Sequence, residues 1–218
     1  MNYKTSLYLM LKLKICGLTD PQNIKEIIEL APDMIGFIFY ESSVRNIQDD
    51  NASKNIPNSI QKVGVFVDAD LTTIEAMIKK HQLNAIQLYH QDISLIQHLR
   101  TKVKLIKAIA VNTEADLSQA KLYEKQCDLF LFDTKGEKAG GNGIKFDWNI
   151  LSSYEGEIPF ILSGGIDISD VEHIKVLEHK KLYGIDINSK FEIKPGSKNI
   201  QKIKQFKKEL YENIGHIK

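Results

Sequence analysis

Eight short apolar runs, each followed by a polar or amphipathic stretch, constrain this chain more than any other feature. The runs fall at residues 11–16, 34–39, 63–67, 85–88, 105–110, 129–133, 160–163 and 183–187. Most lack the apolar/polar alternation of a half-exposed strand, which suits strands covered on both faces. Helical patterns fill most gaps, at 21–30, 71–81, 94–100, 115–126, 168–178 and 200–211. Asp20 is placed to cap the first of these, with Pro21 at its first helical position. The polar, weakly periodic stretch 49–60 reads as one more helix, after the second strand. Repeated strand–helix units mean parallel strands joined by right-handed crossovers. Eight such units in 218 residues fit a single α/β domain, a closed (β/α)8 barrel, whose usual size is ~250 residues. A doubly wound open sheet is the structural alternative. Residues 1–10 read as an extension before the first strand, with Met10 as an alternative start.

Composition narrows the class of partner. Hydrophobic residues make up 43% of the chain, enough for one sizeable core. Lys plus Arg total 29 against 28 acidic residues, so no basic face for nucleic acid is expected. Lys202, Lys204, Lys207 and Lys208 read as a solvated helix face. The apolar run Leu7 to Leu11 is too short for a membrane span. Cys16 and Cys127 lie far apart, with neither disulfide nor metal-ligand spacing, which suits a reducing cytoplasm. The histidines do not cluster in any candidate loop, so no metal is expected.

In a barrel the loops after the strands build the active site, so strand-end residues carry the chemistry. The first strand ends in Lys14-Ile15-Cys16-Gly17. A thiolate at a strand tip is a candidate base or nucleophile; a buried structural thiol is the other reading. Asp133 ends the sixth strand and is followed by a loop holding Gly136, Gly140, Gly141 and Gly143. A carboxyl under a loop that excludes water can act as a general acid; a turn aspartate is the alternative. Gly164 and Gly165 after the seventh strand, and the stretch from Asp186 to Lys190 after the eighth, suggest a phosphate cradle aided by a helix N-terminus. Arg45, one of two arginines, follows the second strand. Its fork suits a planar carboxylate, where lysine offers a point charge.

Taken in order, these motifs resemble the phosphoribosylanthranilate isomerase family of tryptophan biosynthesis. The resemblance rests on Lys14-Ile15-Cys16-Gly17, Gly36-Phe37-Ile38-Phe39-Tyr40 with Ser42-Ser43-Val44-Arg45, and Val63-Gly64-Val65-Phe66-Val67. It continues through Phe132-Asp133-Thr134, Gly140-Gly141-Asn142-Gly143 with Phe146-Asp147-Trp148, and Leu162-Ser163-Gly164-Gly165. It closes with Gly184-Ile185-Asp186, Ser189, Glu192, Pro195 and Gly196. The chain departs from the family pattern at Tyr89-His90, where that pattern has histidine and glycine. It departs again at Asn142, in place of threonine, and at Asn188-Ser189-Lys190, in place of two serines and a glycine.

The resemblance implies an isomerase that converts N-(5-phosphoribosyl)anthranilate to 1-(2-carboxyphenylamino)-1-deoxyribulose 5-phosphate, an Amadori rearrangement without metal or organic cofactor. It implies Asp133 as general acid and Cys16 as general base. Arg45 would hold the anthranilate carboxylate. Gly164, Gly165, Asn188 and Ser189 would cradle the phosphate, with Asp186 facing the substrate. The only implied partner is the phosphosugar, for a monomer or homodimer in the cytoplasm. A barrel that binds phosphosugars without catalysis, and a different phosphosugar isomerase or epimerase, remain alternatives.

Overall fold

The structure, a computed structural model, describes residues 11–89, 92–100, 102–136 and 145–212. Residues 1–10, His90 and the glycines at 140, 141 and 143 with Asn142 lie outside the described residues. Eight parallel strands close into a barrel in chain order. They are β1 (Lys12–Cys16), β2 (Met34–Ile38), β3 (Gln61–Phe66), β4 (Ala85–Leu88), β5 (Lys104–Val111), β6 (Leu129–Thr134), β7 (Phe160–Leu162) and β8 (Leu182–Ile187). All eight expected strands are present, and pairing of β1 with β8 closes the ring.

Side chains along a strand alternate between its two faces. One face of each strand packs against the outer layer in a large apolar core. The other fills the lumen. Met34, Val63, Ala85, Ile106, Ala108, Leu131 and Ile161 form a separate apolar cluster at the bottom of the lumen. Two residues further along β4, β6 and β7 stand Gln87, Asp133 and Ser163, so the lumen turns polar toward the strands' C-terminal ends. On β1 and β8 the paired lumen residues are Lys14 and Asp186.

The outer layer contains α1 (Pro21–Glu29), α2 (Leu71–His81), α3 (Ile93–Leu99), α4 (Glu114–Leu117), α5 (Val171–Val176) and α6 (Ile200–Glu212). Asp20 caps α1 as expected, accepting from the Gln22 and Asn23 amides. Three helical expectations are corrected. Stretch 49–60 forms turns, because Asp49 takes the Asn51 amide at 2.8 Å, Asn55 adopts φ 61°, and Pro57 lacks an N–H. Ala52, Ile56 and Ile60 nonetheless reach the core. The 115–126 helix shrinks to α4 plus a 3-10 segment, Ser118–Leu122. The 168–178 helix becomes a 3-10 turn, Ile168–Asp170, and the short α5. After β8, a small antiparallel pair, β9 (Glu192–Lys194) and β10 (Ser197–Lys198), supplies residues to the mouth of the barrel.

Candidate active site

One cavity at the C-terminal end of the strands is lined by Cys16, Arg45, Asp133, Gly164, Gly165, Asp186, Asn188 and Ser189. The eight residues singled out from the sequence therefore meet in one place. Cys16 and Asp133 sit on β1 and β6, with β7 and β8 between them on the shorter way round.

The Cys16 thiol is 3% exposed and fits because residue 36 is glycine. A Cβ at Gly36 would stand 2.6 Å from Cys16 Sγ. Burial pushes the thiol above its ordinary pKa, Lys14 and Lys198 pull it down, and Asp186 pushes it up. Lys14 was not expected here. It is fully buried, and such a lysine persists only when paired. Its Nζ donates to Asp186 Oδ1 at 2.9 Å, and Ser163 Oγ donates to Asp186 Oδ2 at 3.0 Å. Burial opposes the Lys14 charge, but Asp186 and Cys16 hold its pKa above the ordinary lysine value. The sequence held a signal: Lys14 interrupts an apolar strand on the same face as Cys16.

Asp133 has different company. Its Oδ2 accepts from the Tyr89 hydroxyl at 2.9 Å and its Oδ1 from the Thr134 amide at 2.9 Å. Burial is the main cause that pushes its carboxyl up to about 6, with Asp186 adding to it; Tyr89, Thr134 and Lys14 pull the other way. A buried carboxyl near 6 can hold a proton in the range where a general acid must.

Arg45 is already engaged. Its Nε donates to Glu192 at 2.9 and 3.1 Å and its Nη2 to Glu192 Oε2 at 2.7 Å. That pairing uses the side edge of the guanidinium and leaves the end edge, Nη1 with the second Nη2 proton, for another carboxylate. Lys198 Nζ donates to Glu192 Oε1 at 2.8 Å and to Asn188 Oδ1 at 2.6 Å. Glu192 thus lies between two cations; burial opposes its charge, but they hold its pKa low.

After β7, Gly164 and Gly165 have φ of 95° and 65°. A Cβ at Gly164 would strike Thr134 Oγ1 at 2.2 Å, so this turn requires glycine. With Asn188 Oδ1 taken by Lys198, its amide N–H2 remains as a donor. Lys190 also lines the cavity. Among the described residues no group of three or more His, Cys, Asp or Glu is arranged to hold a metal ion.

A closed barrel that gathers a thiol, a proton-holding carboxyl and several cations at one mouth defines an acid/base enzyme for an anionic substrate. The family model for N-(5'-phosphoribosyl)anthranilate (PRA) isomerase matches residues 13–209, and the chain belongs to that family. It is 44% identical over 203 residues to N-(5'-phosphoribosyl)anthranilate isomerase of Parabacteroides distasonis, covering 89% of this chain and 90% of that one. It is 42% identical to the Campylobacter jejuni enzyme of the same name, covering 92% and 99%. The crystal structure of the Thermotoga maritima isomerase is similar at a TM-score of 0.82 and 32% identity, over 92% of this chain and 98% of that one. A family structure in complex with reduced 1-(o-carboxyphenylamino)-1-deoxyribulose 5-phosphate is similar at a TM-score of 0.80, with 29% identity and coverage of 92% and 98%.

Proposed function

We propose that this chain isomerises N-(5-phosphoribosyl)anthranilate in tryptophan biosynthesis, with Asp133 as general acid and Cys16 as general base. The carrying observation is that the family's reaction needs one proton given and one taken, and a buried carboxyl and a buried thiol line the same cavity.

The reaction opens with Asp133 delivering its proton to the ribose ring oxygen. The anthranilate nitrogen pushes its lone pair toward C1, the C1–O bond breaks, and a protonated Schiff base forms. Cys16, as thiolate, then takes the C2 proton. The electrons move toward the positive nitrogen and give an enolamine, which tautomerises to the ketone. The iminium serves as the electron sink, so the base need not be strong. Its positive charge also joins Lys14 and Lys198 in favouring the thiolate, against the burial that opposes it.

The end edge of Arg45 holds the anthranilate carboxylate while Glu192 fixes the guanidinium. Gly164 and Gly165 backbone amides, Asn188 and Ser189 cradle the phosphate, with Lys190 adding charge at the rim. Asp186 orients Lys14 beneath the reacting carbons. A monomer and a homodimer are both compatible with this chemistry. One solved structure from Thermotoga maritima is of monomers generated from a dimeric isomerase. Two buried free thiols, one of them the base, suit a reducing cytoplasm.

A turnover assay with phosphoribosylanthranilate made in situ tests the reading. Wild type should consume it, and Cys16→Ser and Asp133→Asn should each lose about 10²–10⁴-fold in rate. Full activity in either variant removes that residue from its role. A folded wild type that binds inorganic phosphate yet turns nothing over would point to a binding module.

A further inference from the structure

Tyr89 is fixed at three points. Its amide donates to Phe66 O at 3.1 Å, its carbonyl accepts from Lys107 Nζ, and its hydroxyl donates to Asp133 Oδ2 at 2.9 Å. Its ring packs against the apolar cluster at the bottom of the lumen. Lys107 is itself buried and also donates to Ala108 O at 2.9 Å, so the end of β4 is tied firmly to β5. A phenol held this way meets Asp133 without first reorganising, which is the condition under which a hydrogen bond contributes most to a developing charge. Asp133 has one other described hydrogen-bond donor, the Thr134 amide, which belongs to its own strand. Tyr89 is the donor that reaches it from across the lumen.

We propose that Tyr89 is the positioning residue of the acid: it holds the Asp133 carboxyl in the cavity and stabilises the negative charge left on Oδ2 when the proton leaves. The inference rests on the reading of Asp133 as the acid. Among the described residues Tyr89 is the one hydrogen-bond donor to Asp133 Oδ2. Of the groups facing the carboxyl, Asp186 on β8 repels it, Lys14 on β1 attracts it but is already paired with Asp186, and Thr134 contacts only Oδ1. Burial first, and then the charges of Asp133, Cys16 and Asp186, disfavour loss of the phenol's own proton, so Tyr89 stays a neutral donor throughout.

The test reads the carboxyl directly and then the rate. Asp133 is titrated without substrate by ¹³C NMR on protein with labelled aspartate, the signal being assigned by its absence in Asp133→Asn. In Tyr89→Phe the midpoint should move upward from about 6. A shift of about one pH unit corresponds to a tenfold change in proton affinity. Site-specific 3-fluorotyrosine at position 89, a stronger donor of nearly the same shape, should move it downward. The inflection that Asp133 gives to the pH profile of kcat/KM should follow each shift. At a pH below both midpoints kcat should fall about tenfold in Tyr89→Phe, the scale of one hydrogen bond to a charged group, with KM little changed. A midpoint unmoved in both proteins would reduce Tyr89 to a space-filling residue, as would a moved midpoint with an unmoved kinetic inflection. Should Tyr89→Phe fail to fold, the fluorinated protein decides alone. Full turnover by Asp133→Asn would instead overturn the acid assignment, independently of what the titration shows.

Discussion

The two sides of the cavity control their protons by opposite means. Around Cys16, on β1 and β8, the neighbours are ions: Lys14, Asp186 and Lys198, with Ser163 supporting Asp186. Around Asp133, between β4 and β6, the hydrogen-bond partners are neutral: a phenol and a backbone amide. A thiol that must ionise needs cations within reach, and a carboxyl that must keep a proton needs burial and few charges. The difference teaches where each side is fragile. The side of the proposed base should fail when a charge is removed, and the side of the proposed acid should respond to polarity and burial.

The largest expected effect lies on the ionic side. Lys14→Met leaves the Asp186 carboxylate buried without its partner, which costs about 3–5 kcal/mol, read as a fall in the denaturant midpoint. The double variant Lys14→Met/Asp186→Leu should regain much of that stability without regaining activity. In a Cys127→Ser background, alkylation of Cys16 should require higher pH in Lys14→Met, because one of the cations favouring the thiolate is gone. A stable Lys14→Met protein with an unchanged alkylation profile would break the comparison.

On the neutral side the expected effect is smaller and of opposite sign. Asp133 has a folded pKa of about 6 against an ordinary 3.8. Its contribution to stability is therefore complete below pH ~4 and is lost as pH rises through about 6. Two pH units correspond to about 3 kcal/mol. Asp133→Asn carries no such loss, so it should match wild type near pH 4 and exceed it by about 2–3 kcal/mol at pH 8. Denaturant titrations of both proteins across that window check it. An asparagine variant no more stable than wild type at pH 8 would show that the acid is held at no cost.

The strand count, the barrel and the eight residues that line the cavity were legible because each rests on a local pattern: an apolar run, a residue at its end, or a short motif. The partners of those residues were harder to read. Lys14 and Asp186 are adjacent only because β1 pairs with β8, at opposite ends of the chain. Tyr89 and Asp133 meet across the lumen from strands that are not neighbours. Glu192 engages Arg45 from a β9–β10 hairpin that carries no strong strand pattern. The sequence shows that the Arg45 fork suits a carboxylate, and not that Glu192 occupies one edge of it. The misread helices fail for local reasons instead. In 49–60, the Asp49 side chain takes a backbone amide and Pro57 removes a donor, effects that the spacing of Ala52, Ile56 and Ile60 conceals.

The smallest expected effect asks whether the two sides are independent at all. Ser163→Ala removes one buried hydrogen bond to Asp186, 3.0 Å long, and should cost about 1.5 kcal/mol. It leaves Lys14 as the remaining hydrogen-bond partner of Asp186 among those described, so the carboxylate draws more strongly on the ammonium and less of that charge is left for Cys16. Alkylation of Cys16 should shift slightly to higher pH, while Tyr89→Phe should leave it nearly unmoved. Combined, the two substitutions should add in stability to within about 0.5 kcal/mol, as separate sites do. Asp186 and its partner Lys14 both act on Cys16 and on Asp133, so a larger coupling is expected to run through that ion pair. A coupling well above that value would merge the two sides into one network, and acid and base would then titrate as a pair.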